Sequence, residues 1–273
     1  MELLSMIWKK CYQLLFCLLF SGLLHTTPAQ ASETKTGVET TSAGRVLFVL
    51  SNVKFHGNST LSASISFGEV VNAWDTFHAA GYAVDFVSPD GGTVPIDPSV
   101  LGERLTARLQ DQRIMVGLTN THTPDQIDAN RYRAVYYVGG SNAMYQVVDD
   151  VRLQQISRHI YEQNDGVISA VCHGTAGIVR LKLSNGQYLL AGKRVTGYPE
   201  DYEDKTAPYF QHLPFPMRQT IEANGGLFKA PDPEKPYIEV DGRLVTGQNY
   251  PSAPLVASAV VQILKQQPTT ANN

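Results

Sequence analysis

Cys172 and His173 stand side by side in the stretch ISAVCHGTAG, residues 168–177. A thiol beside an imidazole suits nucleophilic catalysis: the sulfur attacks and the ring moves the protons. The residues before them favour a buried strand. The Gly, Thr, Ala and Gly after them allow a tight turn into a short helix. A cysteine at that turn is lifted above the sheet, over the start of the next helix. Backbone N–H groups and the helix dipole there favour thiolate. The plain alternative is a buried structural thiol, and the adjoining His-Gly argues against it.

This strand–turn–helix pattern resembles the nucleophile elbow of hydrolases, with Cys in place of Ser. Two glycines, Gly139 and Gly140, end the preceding apolar run RAVYYVGG. Glycine lets backbone N–H groups face a ligand. The N–H of Gly140, with that of His173, is placed to bind an oxyanion formed by attack from Cys172. An ordinary strand-to-helix turn explains the two glycines equally well. Glu69 falls in the first turn of a predicted helix, opposite its apolar stripe. Its plain reading is a solvated helix-start glutamate, although its place after a strand end leaves it free to face the site.

The elements that must hold these residues alternate along the chain. RVLFVLS (45–51), YAVDFVS, RAVYYVGG (133–140) and GVISAV (166–171) read as continuous apolar strands. Phe67, Val70, Val71, Trp74 and Phe77 recur at helical spacing. A second helical stretch lies near 99–110, and Leu153, Ile156 and Ile160 mark a third. KRVTGY and the hairpin YIEVDGRLVTG add strands, and SAPLVASAVVQILK closes the chain as an amphipathic helix. The expected fold class is α/β: a three-layer sandwich with a mostly parallel central sheet, helices on both faces and a nucleophile-elbow cysteine. In such sheets, sites form beyond the carboxyl ends of strands, which singles out the residues just past Val138 and Val171.

The chain has 273 residues and a net charge of −3. Neither value points to nucleic acid. Lys9 and Lys10 precede an apolar run from Leu14 to Leu24, and Ala29-Gln30-Ala31 ends the segment. This predicts a signal peptide over 1–31 and an exported protein, periplasmic or secreted, free of the membrane after cleavage. A flexible leader over 32–43, one domain over 44–266 and a loose tail over 267–273 follow. Of the three cysteines, Cys11 and Cys17 leave with the signal, so Cys172 has no intramolecular disulfide partner. His56, His122 and His159 lack paired metal-ligand spacing, so no zinc site is expected, and no cofactor is expected either.

AVCHGTAG, VYYVGGSNAMYQVVDD, SFGEVVNAWDTFHAAGYAVDFVSPDGG, KRVTGY and VDGRLVTGQNYPSA occur in that order. Together they resemble the PfpI-type superfamily, whose fold is shared with class I glutamine amidotransferases. The chain is most similar to its branch of thirty-one-kilodalton heat-shock chaperones and glutathione-independent glyoxalases. The resemblance implies that Cys172 is the nucleophile, His173 its neighbouring histidine and Glu69 the glutamate that hydrogen-bonds cysteine or substrate. It implies that Gly140 is the oxyanion-hole glycine. It also implies an acid after VTG that orients the histidine; Glu200, Asp201 and Glu203 are candidates, with Glu203 favoured. Branch relatives often carry His-Gly after the two glycines. Here Ser141 and Asn142 stand there, altering the wall beside the thiol and becoming candidate substrate-binding residues.

The implied activity is conversion of 2-oxoaldehydes such as methylglyoxal to 2-hydroxy acids such as lactate, through a hemithioacetal on Cys172. A homodimer is also implied. The alternatives are a holdase chaperone, a thiol redox sensor and a cysteine peptidase. Glutamine amidotransfer is excluded on its residues: that chemistry pairs the elbow Cys with a later His-x-Glu, and His212, the only later histidine, is followed by Leu213-Pro214.

Overall fold

The computed structural model describes residues 43–267; the expected signal peptide, nearly all of the leader and the last six residues lie outside them. Among the described residues, eight strands and six α-helices follow in chain order: β1 Arg45–Val49, α1 Phe67–Ala79, β2 Ala83–Val87, α2 Glu103–Arg108, α3 Gln112–Thr119, β3 Tyr132–Tyr137, α4 Val151–Glu162, β4 Val167–Val171, β5 Arg194–Val195, α5 Met217–Ala223, β6 Leu227–Phe228, β7 Ile238–Asp241, β8 Leu244–Gly247 and α6 Ala253–Gln266. Six strands form the main sheet in the order β2-β1-β3-β4-β8-β7. All pairs are parallel except the β7–β8 hairpin.

The strands are apolar along their length because both faces are covered. Val46, Phe48, Ala134 and Tyr136 pack on one face, in a cluster with α1, α3 and α6. Leu47, Val49, Val135 and Tyr137 alternate with them and face the other way, with α4 and α5. Each strand thus feeds two cores at its period of two. This is the expected three-layer α/β sandwich.

Two local expectations change. KRVTGY adds only Arg194 and Val195 to a strand, and β5 pairs with β6 in a separate two-stranded sheet. The next N–H, of Thr196, is taken by the Thr246 hydroxyl, which ends the ladder. The stretch near 99–110 breaks at Gly102 into a short 3-10 turn and α2.

Close backbone approach at the carboxyl edge depends on glycine. Gly140 has φ of 105°, and a Cβ there would lie 2.3 Å from the Ser66 nitrogen. A Cβ on Gly174 would lie 2.4 Å from the Tyr137 carbonyl oxygen. Gly140 lets the turn after β3 sit against the entry to α1, where the Ser66 N–H donates to the Gly139 carbonyl at 2.9 Å, and Gly174 lets the turn after β4 sit against the end of β3. Gly140→Ala should therefore lower the urea-unfolding free energy by about 2 kcal/mol or more, combining left-handed strain with overlap. An unchanged midpoint would show that the two turns are not tightly packed.

Candidate active site

Cys172 is the first residue after β4 and has φ of 55°, a left-handed conformation that costs a non-glycine residue about 1–3 kcal/mol. Residues 172–178 then form a 3-10 helix, all of them buried. This is a strained strand-to-helix elbow. Gly139, at the end of the neighbouring β3, is packed so closely that a Cβ would meet Cys172 Cβ at 2.9 Å and Glu69 Oε2 at 2.5 Å.

Glu69 is not on a solvated face. It is 1 % exposed. The first turn of α1 is roofed by the β3 exit, and the Gly139 N–H donates to Glu69 Oε2 at 2.8 Å. Burial pushes the Glu69 carboxyl up to about 8, against the opposing hydrogen bonds from Gly139, Cys172 and Ser66. Glu69 is therefore protonated at neutral pH and hydrogen-bonded to Cys172.

The sequence-based expectation of a lowered thiol is reversed. Burial, followed by the nearby Glu69 carboxyl, pushes the Cys172 thiol well up. The His173 backbone N–H opposes this by hydrogen-bonding the sulfur. The short 3-10 helix adds too small a dipole to outweigh desolvation. The resting group is the thiol, which needs a base.

That base adjoins it. Cys172 Sγ lies 3.5 Å from His173 Nδ1. On the far side of the ring, His173 Nε2 is 2.6 Å from Glu203 Oε1. The Tyr209 hydroxyl donates to Glu203 Oε2 at 3.0 Å. Burial disfavours the charge on Glu203, but the hydrogen bond and charge of His173, with the Tyr209 hydroxyl, hold its carboxyl below the ordinary range. An ionised Glu203 accepts a hydrogen bond from His173 Nε2–H, and in the tautomer with its proton on Nε2 the ring presents a bare Nδ1 to the sulfur.

The other acids after VTG are elsewhere. Glu200 accepts the backbone N–H groups of Arg218 and Gln219 at the start of α5. Asp201 pairs with Arg218 at 3.0 Å. No hydrogen bond takes up the Gly140 N–H among the described residues.

Asn142 is a correction. Expected on the substrate wall, its side chain is fully buried and turns toward the β1 exit. Its Nδ2 donates to the carbonyls of Ser51 at 3.1 Å and Val53 at 3.0 Å. Ser141 Oγ accepts the Ser64 N–H at 3.4 Å. Asn142 thus braces backbone with its amide donors, while Ser141 accepts with its oxygen and keeps its own hydroxyl proton.

Four aromatic side chains missing from the sequence-based site surround the acid–base pair. Tyr198 lies against the His173 ring, with centroids 4.7 Å apart. His56 stacks on Tyr209 and approaches Tyr145. The signal for His56 was present: it follows β1, whose carboxyl end lies on the same edge. The tyrosines had no such signal.

An elbow cysteine thus stands at the carboxyl edge of a mostly parallel sheet, backed by a His–Glu couple. The chain belongs to the DJ-1/PfpI family, whose model matches residues 64–263. A glutathione-independent glyoxalase of Schizosaccharomyces pombe is 28% identical, covering 74% of this chain and 90% of that protein. One from Saccharomyces cerevisiae is 30% identical, covering 72% and 87%. The Rapid Encystment Protein 24 KDa of Francisella tularensis superposes with a TM-score of 0.75 at 28% identity, covering 81% of this chain and 99% of that one.

Glu69 gives stability a signed pH dependence. Its folded value, about 8, lies above the ordinary 4.5. Below about 4.5 both states hold the proton; between the two values only the folded state does, so stability falls as pH rises. Urea unfolding should show a wild-type loss on the order of 3 kcal/mol between about pH 5 and pH 8, and Glu69→Gln should remove it. Parallel pH profiles in the two proteins would contradict a protonated Glu69.

Proposed function

We propose that the chain is a glutathione-independent glyoxalase-type enzyme, converting 2-oxoaldehydes such as methylglyoxal to 2-hydroxy acids such as lactate. The observation that carries this reading is the buried line Glu69–Cys172–His173–Glu203, with one carboxyl protonated and the other ionised. The names of the yeast relatives support it.

The reaction needs a nucleophile, a movable proton and a neutral acid. His173 Nδ1 takes the thiol proton as Cys172 Sγ bonds to the aldehyde carbon, C1. The carbonyl oxygen then takes that proton, giving a hemithioacetal and a neutral ring. The N–H groups of Gly140 and His173 are the donors for the passing oxyanion. Nδ1 next removes the hydrogen from C1. The electron pair moves between C1 and C2, and the C2 oxygen takes the Glu69 proton to give an enediol.

His173 returns its proton to C2, and the C1 hydroxyl returns one to Glu69. The product is a 2-hydroxyacyl thioester of Cys172. Water cleaves it, releasing the acid and restoring the thiol. One aldehyde and one water give one hydroxy acid, with no external oxidant or reductant. Glu203 serves each protonation of His173 by stabilising the imidazolium.

We also propose that the protein is exported, on the strength of Lys9, Lys10, the Leu14–Leu24 run and Ala29-Gln30-Ala31. N-terminal sequencing of protein recovered from the native cell should begin at Ser32; recovery of Met1 would contradict cleavage.

Purified protein should convert methylglyoxal to lactate without glutathione, and Cys172→Ala should lose at least about a thousandfold in kcat/KM, as removal of a covalent nucleophile does. Peptides and glutamine in the same panel should remain intact. Equal turnover by wild type and Cys172→Ala would overturn the reading.

A further inference from the structure

The loop after β1 holds a buried histidine that the proposed chemistry does not use. His56 sits in a fixed turn. Its N–H donates to the Leu61 carbonyl at 2.9 Å, and its carbonyl accepts from the Ser59 N–H at 3.0 Å and hydroxyl at 2.6 Å. Phe55 and Ser62 pair across the turn. The imidazole is thereby set inward, and the residue is 3 % exposed.

The ring's protonation follows from its neighbours. The Tyr145 hydroxyl has one proton and donates it to the His212 carbonyl at 2.8 Å. Its oxygen is then the acceptor for His56 Nδ1–H at 3.1 Å. Burial, then the charges of His173 and His212, hold His56 below the ordinary histidine range, with Glu203 acting the other way. At neutral pH the ring is uncharged. It stacks on Tyr209 with centroids 5.0 Å apart and planes inclined by 26°.

Tyr209 passes this constraint on. Its hydroxyl donates to one Glu203 oxygen, while the other bonds His173. Glu203 lies in the irregular chain between β5 and α5, so no helix or strand fixes its side chain. Without Tyr209 the carboxylate would keep a single hydrogen bond and could rotate about it.

We propose that His56 and Tyr209 form an aromatic clamp that positions Glu203 for His173: His56 fixes the plane of the Tyr209 ring, and the Tyr209 hydroxyl fixes the second carboxylate oxygen. Both are positioning residues. The rate consequences rest on the glyoxalase reading; the effect on Cys172 does not. The titratable groups around Glu203 are His173, Tyr209, His56, Tyr145, Tyr198 and Cys172. Of these, His173 and Tyr209 favour its ionised form through their hydrogen bonds.

Two readouts on the full chain test the clamp: methylglyoxal turnover, and the pH dependence of Cys172 alkylation by iodoacetamide. Tyr209→Phe keeps the stack but loses the hydroxyl. It should lower kcat about tenfold with KM little changed, the scale of one hydrogen bond to a charged group. The acid limb of alkylation should move up by about one pH unit, because the lost bond favoured ionised Glu203. His56→Ala should reproduce both effects, and His56→Phe should recover most of the loss by restoring an aromatic face. The double variant H56A/Y209F should be no worse than either single change, since both act through one hydrogen bond.

An unmoved acid limb in Tyr209→Phe, or a double variant whose losses multiply, would overturn the clamp. Tyr209→Phe is conservative enough to decide the matter if His56→Ala fails to fold. Wild type without aldehyde turnover, but with the stated alkylation shifts in the variants, would sink the glyoxalase reading and leave the clamp standing.

Discussion

A carboxyl and a thiol buried against each other cannot both be ionised. In the low-dielectric interior, two like charges at contact would oppose each other and lose hydration together. Glu69 and Cys172 are in this position. The carboxyl keeps its proton near neutrality, and the thiol keeps its own until a base takes it. The local architecture serves that arrangement. The left-handed backbone at Cys172 lifts the sulfur to the sheet edge, Gly139 leaves room for both side chains, and its N–H holds the second oxygen of Glu69.

Two glutamates therefore take opposite roles through their surroundings. Glu69 accepts hydrogen bonds from Gly139, Cys172 and Ser66, but its complete burial outweighs them, so desolvation decides its state. Glu203 is also buried, but it receives hydrogen bonds from both His173 and Tyr209, and these outweigh desolvation. A neutral acid and an ionised acid on either side of one Cys–His pair separate proton donation from imidazole orientation. The same logic explains why Cys172 can be deprotonated on demand despite its raised thiol: His173 presents a lone pair to it, and Glu203 stabilises the cation that results.

Much of this fold was legible because strand and helix periods differ. The runs at 45–51, 133–140 and 166–171 are apolar throughout because both sheet faces are covered, and the Phe67–Phe77 stripe packs as its spacing requires. The elbow was legible from small residues after Cys172. What the sequence hid was burial imposed by distant chain. Helical periodicity sent Glu69 to solvent because it cannot register the β3 exit folded over the α1 start. The resemblance favoured Glu203 among three acids, but only the folded chain shows Glu200 and Asp201 committed to the start of α5. Asn142 looked like pocket wall because it follows the two glycines; its amide is used on the carbonyls of Ser51 and Val53, 91 and 89 positions away. His56, Tyr145 and Tyr209 converge from three separate loops, and no local pattern brings them together.

The protonation state of Glu69 is the central claim, and infrared difference spectroscopy reads it directly. Subtracting the spectrum of Glu69→Gln from that of wild type at about pH 7 should leave the C=O stretch of a protonated carboxylic acid, replaced by carboxylate bands as pH rises past about 8. Carboxylate bands already present at neutral pH would contradict the account, because a charged Glu69 could not act as the acid beside the thiol.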